Sequence, residues 1–336
     1  MAEPRRKAAL PQETRNDDPQ IELGLNAAIV TVRDGQPHIL VARSAKAGSD
    51  AWDGLPFGPF APREHRTLEI GLREWVKRQT GLDLGYVEQL YTFGDRGRHA
   101  EPGGAHTLSV GYLALTRSAG VELVGSHWSP WYSYFPWEDW RKGKPPILSS
   151  EIEPKLKEWA ESPPLPDEPV RALRRPERLR ISFGIGGGWD EEKVLERYEL
   201  LYEAGLVAEA ARDGRPAAEQ WSKLPELGRP MEFDHRRILA TAISRLRGKL
   251  KYRPVVFELL PPEFTLYELQ KTVEAISGTL LHKQNFRRLV EQGGLVEATG
   301  NVSTETGGRP ARLYRFRREV VLERPAPGLR VKAGHG

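Results

Sequence analysis

The stretch 58–82, GPFAPREHRTLEIGLREWVKRQTGL, limits the fold of this chain more than any other. Gly58 is followed six positions later by Glu64, and a helix-forming run then stops at Thr80, Gly81 and Leu82. Its neighbours have a different character. Residues 21–32 alternate and then run apolar, 38–43 read HILVAR, 86–93 read YVEQLYTF and 106–116 read HTLSVGYLALT, with the β-branched and aromatic content of strands. A helix between the second and third of four strand-like segments predicts an α/β domain over roughly residues 20–117.

The glycine, the glutamate and the helix end resemble the frame of the Nudix box, G-x5-E-x7-R-E-U-x-E-E-x-G-U, where U is aliphatic. Aligned back from Gly81, with about two extra residues before Thr67, Glu74 stands at the family's arginine and Trp75 at its glutamate. Arg78 and Gln79 then occupy the places of the two metal-binding glutamates. Mg²⁺ needs several oxygen ligands in near-octahedral geometry, and an arginine and a glutamine do not supply them. A one-residue shift restores Arg73-Glu74 but puts Lys77 and Arg78 in the glutamate positions. Glu64, Glu69, Glu74 and Asp95 are the acids from which a displaced metal site would have to be built. LYTFGD at 90–95 and SVGYLAL at 109–115 make the match look like Nudix domains similar to ADP-ribose pyrophosphatases. The resemblance implies an α/β/α sandwich that holds a nucleotide with no catalytic residue and no metal. Near the box, Arg43, Arg96 and Arg98 are candidate phosphate partners, since guanidinium forks suit pyrophosphate. Phe57 and Trp75 are candidates for contact with a base or ribose, with burial of Trp75 as the alternative.

At 336 residues the chain exceeds what one core usually organises. It has no cysteine, which excludes disulfides, cysteine-based zinc sites and cysteine nucleophiles. No apolar run has the length of a membrane span, and the first 20 residues read as a polar tail without the apolar core of a signal peptide. The expectation is a bacterial cytoplasmic, nucleoid-associated protein. Its net charge of +4 hides an asymmetry. From 229 to 336 there are 20 Lys and Arg against 11 Asp and Glu, a net +9, which leaves −5 for the residues before them. A basic segment behind an acidic one suits nucleic acid, because cations that neutralise phosphates release counterions.

Element order in that basic segment is informative. Asp234 can cap a helix with Ile238, Ala242 and Leu246 on one face, running to about Lys251. Arg253-Pro254 breaks it, the apolar VVFELL follows, and Thr265 with Glu268 forms a capping box for the next helix, which Gly278 closes. In LHKQNFRRLVEQ, 281–292, Phe286, Leu289 and Val290 can face a core while Lys283, Gln284, Arg287 and Arg288 stand opposite. Two helices joined by a short turn predict a helix-turn-helix. GLVEATG, NVSTETGGRP and ARLYRFRR then read as strand, loop and strand, the wing of a winged helix. Lys283, Arg287 and Arg288 suit phosphates or guanine edges, and Gln284 or Asn285 suits adenine unless Asn285 caps its helix instead. Arg309 and Arg312 flank the wing tip, within reach of phosphates or the minor groove.

FDHRRIL at 233–239, RLRGKLKYRPVVFELLPPEFTLYELQK at 245–271, KQNFRRLVEQGGLVEATG at 283–300 and GRPARLYRF at 308–316, behind a Nudix-like domain, resemble the NrtR transcriptional regulators of NAD metabolism. The long middle region makes the chain look most like the alphaproteobacterial NadQ type. This resemblance implies a homodimeric repressor on a palindromic double-stranded operator, controlled by a nucleotide effector: ADP-ribose for NrtR, ATP or NAD for the NadQ branch. The expected class is α+β multidomain: a tail at 1–20, a Nudix-like α/β/α sandwich at 21–148, a helical connecting region at 149–228, a winged helix-turn-helix at 229–320 and a tail at 321–336. In the middle, Trp128, Trp131, Trp137 and Trp140 suit packing against the sheet or stacking on adenine. Residues 162–169 read as a stiff linker, and 184–190, GIGGGWD, as a turn, since Asp190, Glu191 and Glu192 would repel phosphate from the helix that follows. Two alternatives stand beside the regulator: an active Nudix hydrolase of ADP-ribose or a related nucleotide, and a non-regulatory module binding RNA or a protein.

Overall fold

A computed structural model describes residues 21–43, 52–95, 106–117, 125–164, 171–304, 310–323 and 325–329. Among them, seven strands form one mixed sheet: β1 (Ile21–Arg33), β2 (Gln36–Arg43), β3 (Asp53–Gly54), β4 (Phe57–Pro59), β5 (Tyr86–Phe93), β6 (His106–Leu115) and β7 (Ser126–Pro130). The order is β3-β2-β1-β6-β5, with β4 also pairing β1 and β7 pairing β2. β1 and β6 run parallel, from Ile21 opposite His106 to Val30 opposite Leu115, and the other pairs are antiparallel.

A strand covered on both faces must be apolar at successive positions, which accounts for the run Leu25 to Val30, interrupted only by Asn26. Leu25, Ala27 and Ile29 pack with Leu72 and Val76 of helix α1 (Leu68–Thr80), whereas Ala28 and Val30 join the cluster that contains Ile238 and Ile243. The sheet is therefore the middle layer of an α/β/α sandwich. Each of the Leu, Ile and Val side chains among them contributes about 1.5–3 kcal/mol when fully buried. Helix α1 begins where the Thr67 hydroxyl accepts from Ile70 N–H at 3.2 Å. It ends at Gly81, which adopts φ +65 and donates to Lys77 O at 2.8 Å.

After β7 come α2 (Glu153–Glu161), α3 (Arg175–Phe183), α4 (Val194–Glu203), α5 (Ala208–Arg212) and α6 (Pro216–Glu219). The tryptophan-rich segment is packing material: Trp131 and Trp137 are fully buried with Tyr134 and Phe135, and Trp140 lies 4.6 Å from Trp189. Gly184 has φ +64 and accepts from Gly187 N–H at 2.9 Å, so the glycine-rich segment is a turn. Of the linker expected at 162–169, residues 165–169 lie outside those described.

Helix α7 (His235–Leu250) sits at the centre of the molecule. It touches β1, β5 and β6 on one side, α4 on another, and α8 (Leu266–Ser277) near its C-terminal end. The helix expected to open the DNA-binding unit is thus also a layer of the sandwich. Helix α8, α9 (Lys283–Gly293) and the hairpin β8 (Val296–Ser303) with β9 (Ala311–Phe316) form a winged helix. The capping box is present: Glu268 N–H donates to Thr265 Oγ1 at 3.1 Å and Thr265 N–H to Glu268 Oε2 at 2.6 Å. Phe264 and Tyr314 exchange backbone bonds of 2.9 and 2.8 Å, which ties the wing to the segment before α8. Within the stretch expected as a tail, Val320–Glu323 form a short helix, α10, and Leu329 is buried with its N–H on Leu250 O at 2.7 Å. No helix of the described residues is long and apolar enough to cross a membrane.

Candidate functional site

Helix α9 carries the polarity that its sequence predicts. Phe286 and Val290 are buried and Leu289 is half-buried, while Lys283, Gln284, Asn285, Arg287 and Arg288 are exposed. Among the described residues none of these five has an ion-pair or side-chain hydrogen-bond partner, so their donors face solvent. His282 holds the N-cap position, which places Asn285 in the first turn and removes the alternative in which it caps the helix. On the wing, Arg312 is exposed in β9, Arg315 is paired with Glu297 at 2.6 Å, and Arg309 lies outside the described residues. An apolar face docked on the core and an opposite face of uncompensated cations and amides is the arrangement a major-groove helix needs.

The altered box has a structural use. Trp75 Nε1–H donates to Pro59 O at 2.8 Å and Gln79 Nε2–H to Phe57 O at 2.7 Å, so two of the substituted positions strap α1 to β4. Arg78 lies over the Trp75 ring at 4.6 Å, and the ring lies so close to Gly58 that any Cβ there would overlap it. Three of the four remaining acids face cations or a histidine. Glu69 pairs with Arg73 at 2.8 Å and Asp95 with Arg237 at 2.7 Å; Glu74 lies 3.3 Å from the buried His65 Nε2, an approach without hydrogen-bond geometry. Glu64 is exposed. Among the described residues no three His, Asp or Glu side chains converge as metal ligands.

Of the five candidate nucleotide residues, Phe57 and Trp75 meet at the same strap. Trp75 is half-buried, and Phe57 is 49% exposed. Arg43 ends β2 but its side chain lies outside the described set, as do Arg96 and Arg98. Two residues absent from the sequence-based candidates stand beside Phe57: Phe233, with ring centroids 6.3 Å apart, and His235, at 5.6 Å. Phe233 adopts φ +48, a conformation uncommon for a bulky side chain, and its carbonyl accepts from Arg212 at 3.0 Å. His235 Nδ1 accepts from Leu55 N–H at 3.0 Å. FDH at 233–235 was visible as a motif, but only the fold shows that it borders the box. Two clefts of about 880 and 810 Å³ lie where the winged helix meets the rest of the molecule, and neither is lined by Phe57 or Trp75.

A buried charge cluster joins the middle region to the helix-turn-helix. Glu138 accepts from Arg197 at 2.6 and 2.8 Å and from Arg247 at 2.7 Å, with all three side chains inaccessible. Burial pushes the Glu138 carboxyl up, but the guanidinium groups of Arg197 and Arg247 outweigh it and hold the group below the ordinary carboxylate value. Arg247 also donates to Ile276 O at 2.9 Å and Glu191 O at 2.9 Å.

Comparison with known proteins agrees with this geometry. Residues 256–316 match the NrtR DNA-binding winged helix domain. The chain is 43% identical over 98 residues to a protein of Acinetobacter baylyi named ADPR responsive transcriptional repressor NtrR, a match that spans 29% of this chain and 39% of that relative. Among solved structures, Shewanella oneidensis NrtR complexed with a 27mer DNA superposes over 89% of this chain and 95% of its own, with a TM-score of 0.52 and 21% identity. A MutT/nudix family protein from Enterococcus faecalis covers 91% and 90%, with a TM-score of 0.50 and 17% identity. The chain is thus built as a Nudix-like sheet domain joined to a winged helix in which residues 256–316 match the NrtR DNA-binding winged helix domain.

Proposed function

We propose that this protein is a transcriptional repressor that binds double-stranded DNA through α9 and the wing, and that its Nudix-like domain senses a nucleotide without cleaving it. The observation that carries the reading is the exposed row Lys283, Gln284, Asn285, Arg287 and Arg288, without side-chain partners among the described residues, on the second helix of a winged helix matched to a DNA-binding family. ADP-ribose is the first candidate effector, because the curated relative is named for its response to it. ATP and NAD are the candidates implied by the NadQ-type resemblance, with NAD-biosynthesis promoters as targets and the bacterial cytoplasm as the place of action. A homodimer on a palindrome is the matching assembly, since a two-fold protein presents its two recognition helices to repeated half-sites. Retention without cleavage is supported by Arg78 and Gln79 in the metal-binding positions and by the strap that Gln79 makes to Phe57 O. Arg43, Arg96 and Arg98 are proposed phosphate partners, and Phe57 and Trp75 the contacts to base or ribose.

Fluorescence anisotropy on the protein's own upstream DNA and on NAD-synthesis promoters, titrated with ADP-ribose, NAD and ATP, tests the reading. Sequence-specific binding at nanomolar concentration, altered by one of the three, is expected. Absence of duplex binding at moderate salt, together with Mg²⁺-dependent cleavage of ADP-ribose, would return the chain to the hydrolases.

A further inference from the structure

We propose that α7 is the mechanical link between the nucleotide site and the DNA-reading helix, with Arg247 and Tyr132 as the positioning residues that hold the turn between α8 and α9. The inference rests on the function proposed above and specifies how the two sites communicate.

At its N-terminal end α7 is fastened to the altered box. His235 accepts from Leu55 N–H and its ring packs beside Phe57. Glu232, just ahead of the helix, donates its N–H to Asp53 O at 2.9 Å, and Arg237 pairs with Asp95. A nucleotide that contacts Phe57 therefore presses on groups bonded to the start of α7. The body of the helix is enclosed: Ile238, Leu239, Ala240, Ala242, Ile243 and Leu246 are all buried. A helix packed on several sides moves as a rod or not at all.

At the other end, about 18 Å along the axis at 1.5 Å per residue, the rod grips the helix-turn-helix. The last carbonyls of a helix have no partner within it and are commonly left to water. Here they are claimed by protein donors. Tyr132 Oη–H donates to Ala275 O at 2.7 Å, Arg247 Nε–H to Ile276 O at 2.9 Å, and Trp140 N–H to Gly278 O at 2.7 Å. Gly278 itself has φ +74, and a Cβ there would overlap Glu138 O. The turn that sets the direction of α9 is thus bonded to the rest of the molecule at three points within four residues. Glu138 gathers Arg247 from α7 and Arg197 from α4 into one desolvated cluster. Such a cluster does not stretch gradually, because each lost bond strands a buried charge. A displacement of α7 either carries the turn with it or breaks the grip, which provides the two-arrangement element that coupling requires.

The test uses the full chain, an operator duplex from its own upstream region, and ADP-ribose as the probe. Tyr132→Phe removes the hydroxyl bonded to Ala275 O and keeps every charge; Arg247→Lys keeps the charge but cannot reach the same set of acceptors. For the parent protein we expect ADP-ribose to change the DNA Kd by roughly tenfold, within the usual range of coupling. In both variants that ratio should collapse toward one, while calorimetry without DNA finds the ADP-ribose Kd within about twofold of the parent's, since coupling and intrinsic affinity are separable. Folded variants that keep the parent's full ratio would overturn the inference. If Arg247→Lys does not fold, Tyr132→Phe decides alone. A parent protein that fails to bind DNA, or binds it without responding to ADP-ribose, NAD or ATP, defeats the functional reading and the link with it before any substitution is made; one that responds only to NAD or ATP is tested with that nucleotide as the probe.

Discussion

Gln79, which aligns with a metal-binding glutamate of the box, has a structural use in this fold. A carboxylate there would face Phe57 O, an acceptor, and would repel the carbonyl that the amide now donates to. Reinstating the two glutamates with Arg78→Glu and Gln79→Glu is therefore expected to loosen α1 from β4 by about 1 kcal/mol, the worth of one such bond. The loss should be visible as a lower Tm, and an unchanged or higher Tm would show that the strap contributes nothing. On α9 the expectations divide by residue type. Arg287→Ala should weaken binding to all duplexes alike and lower the salt slope by about one unit, whereas Gln284→Ala should relax preference at one base pair. Measuring Kd on specific and scrambled duplexes over a range of salt separates the two. The outward face of α9 was legible in the sequence because Phe286, Leu289 and Val290 mark the core side at helical spacing. The partners of Gln79 and Trp75 were not, since they are carbonyls of β4 some twenty residues away, fixed only when the strand docks.

For whole elements, α7 marks the difference between pattern and placement. Its extent and its apolar stripe could be read from Asp234 onward, yet the buried set also contains His235, Arg236, Thr241 and Arg247. A stripe on one face predicts one packing partner. Here α4, the sheet and α8 all pack on the same helix, and polar side chains are admitted because each meets a partner: Arg236 pairs with the buried Glu209 at 3.2 Å, and Arg247 with Glu138. Nothing local in the sequence announces these pairs, whose members lie 27 and 109 positions apart. The Glu138 cluster has a pH signature. Its carboxyl is held below the ordinary value of 4.5, so its contribution to stability is fully present above that pH. The contribution is lost as pH falls below 4.5 and through the depressed folded-state value. Glu138→Gln should leave two buried arginines without their counter-charge and cost about 3–5 kcal/mol at neutral pH. Because the glutamine has no proton to take up, the variant should also show a shallower loss of stability on acidification. Denaturant unfolding of both proteins at pH 7 and in a series below pH 5 measures the two effects. Parallel acid limbs would mean that Glu138 does not govern that transition.

In the molecule as a whole, the sequence carries a net +9 from residue 229 onward and a net −5 before it, and the described residues of both parts share one continuous core. On the function proposed above, the basic side is the one that attracts DNA, and the acidic side gains nothing from it. An acidic body keeps nonspecific attraction low, so salt-dependent steering is concentrated on the winged helix. Continuity of the core also bears on regulation. Were the sensor and the reader joined only by a flexible linker, a nucleotide bound to one would leave the other's affinity unchanged. Because α7 packs on both, the nucleotide and the operator proposed above would share a free-energy difference between two arrangements of the same packed body. Linkage then makes a demand on any equilibrium coupling carried by the protein: the factor by which ADP-ribose changes operator affinity must equal the factor by which operator changes ADP-ribose affinity. Calorimetric titration of ADP-ribose into free protein and into protein saturated with operator gives one factor, and anisotropy with and without saturating ADP-ribose gives the other. Equal factors are expected. If operator affinity falls while ADP-ribose binds free and DNA-loaded protein equally well, the nucleotide is not acting through the shared core. The effect would then come from the DNA and not from a coupling within the protein, and α7 would be a structural helix only.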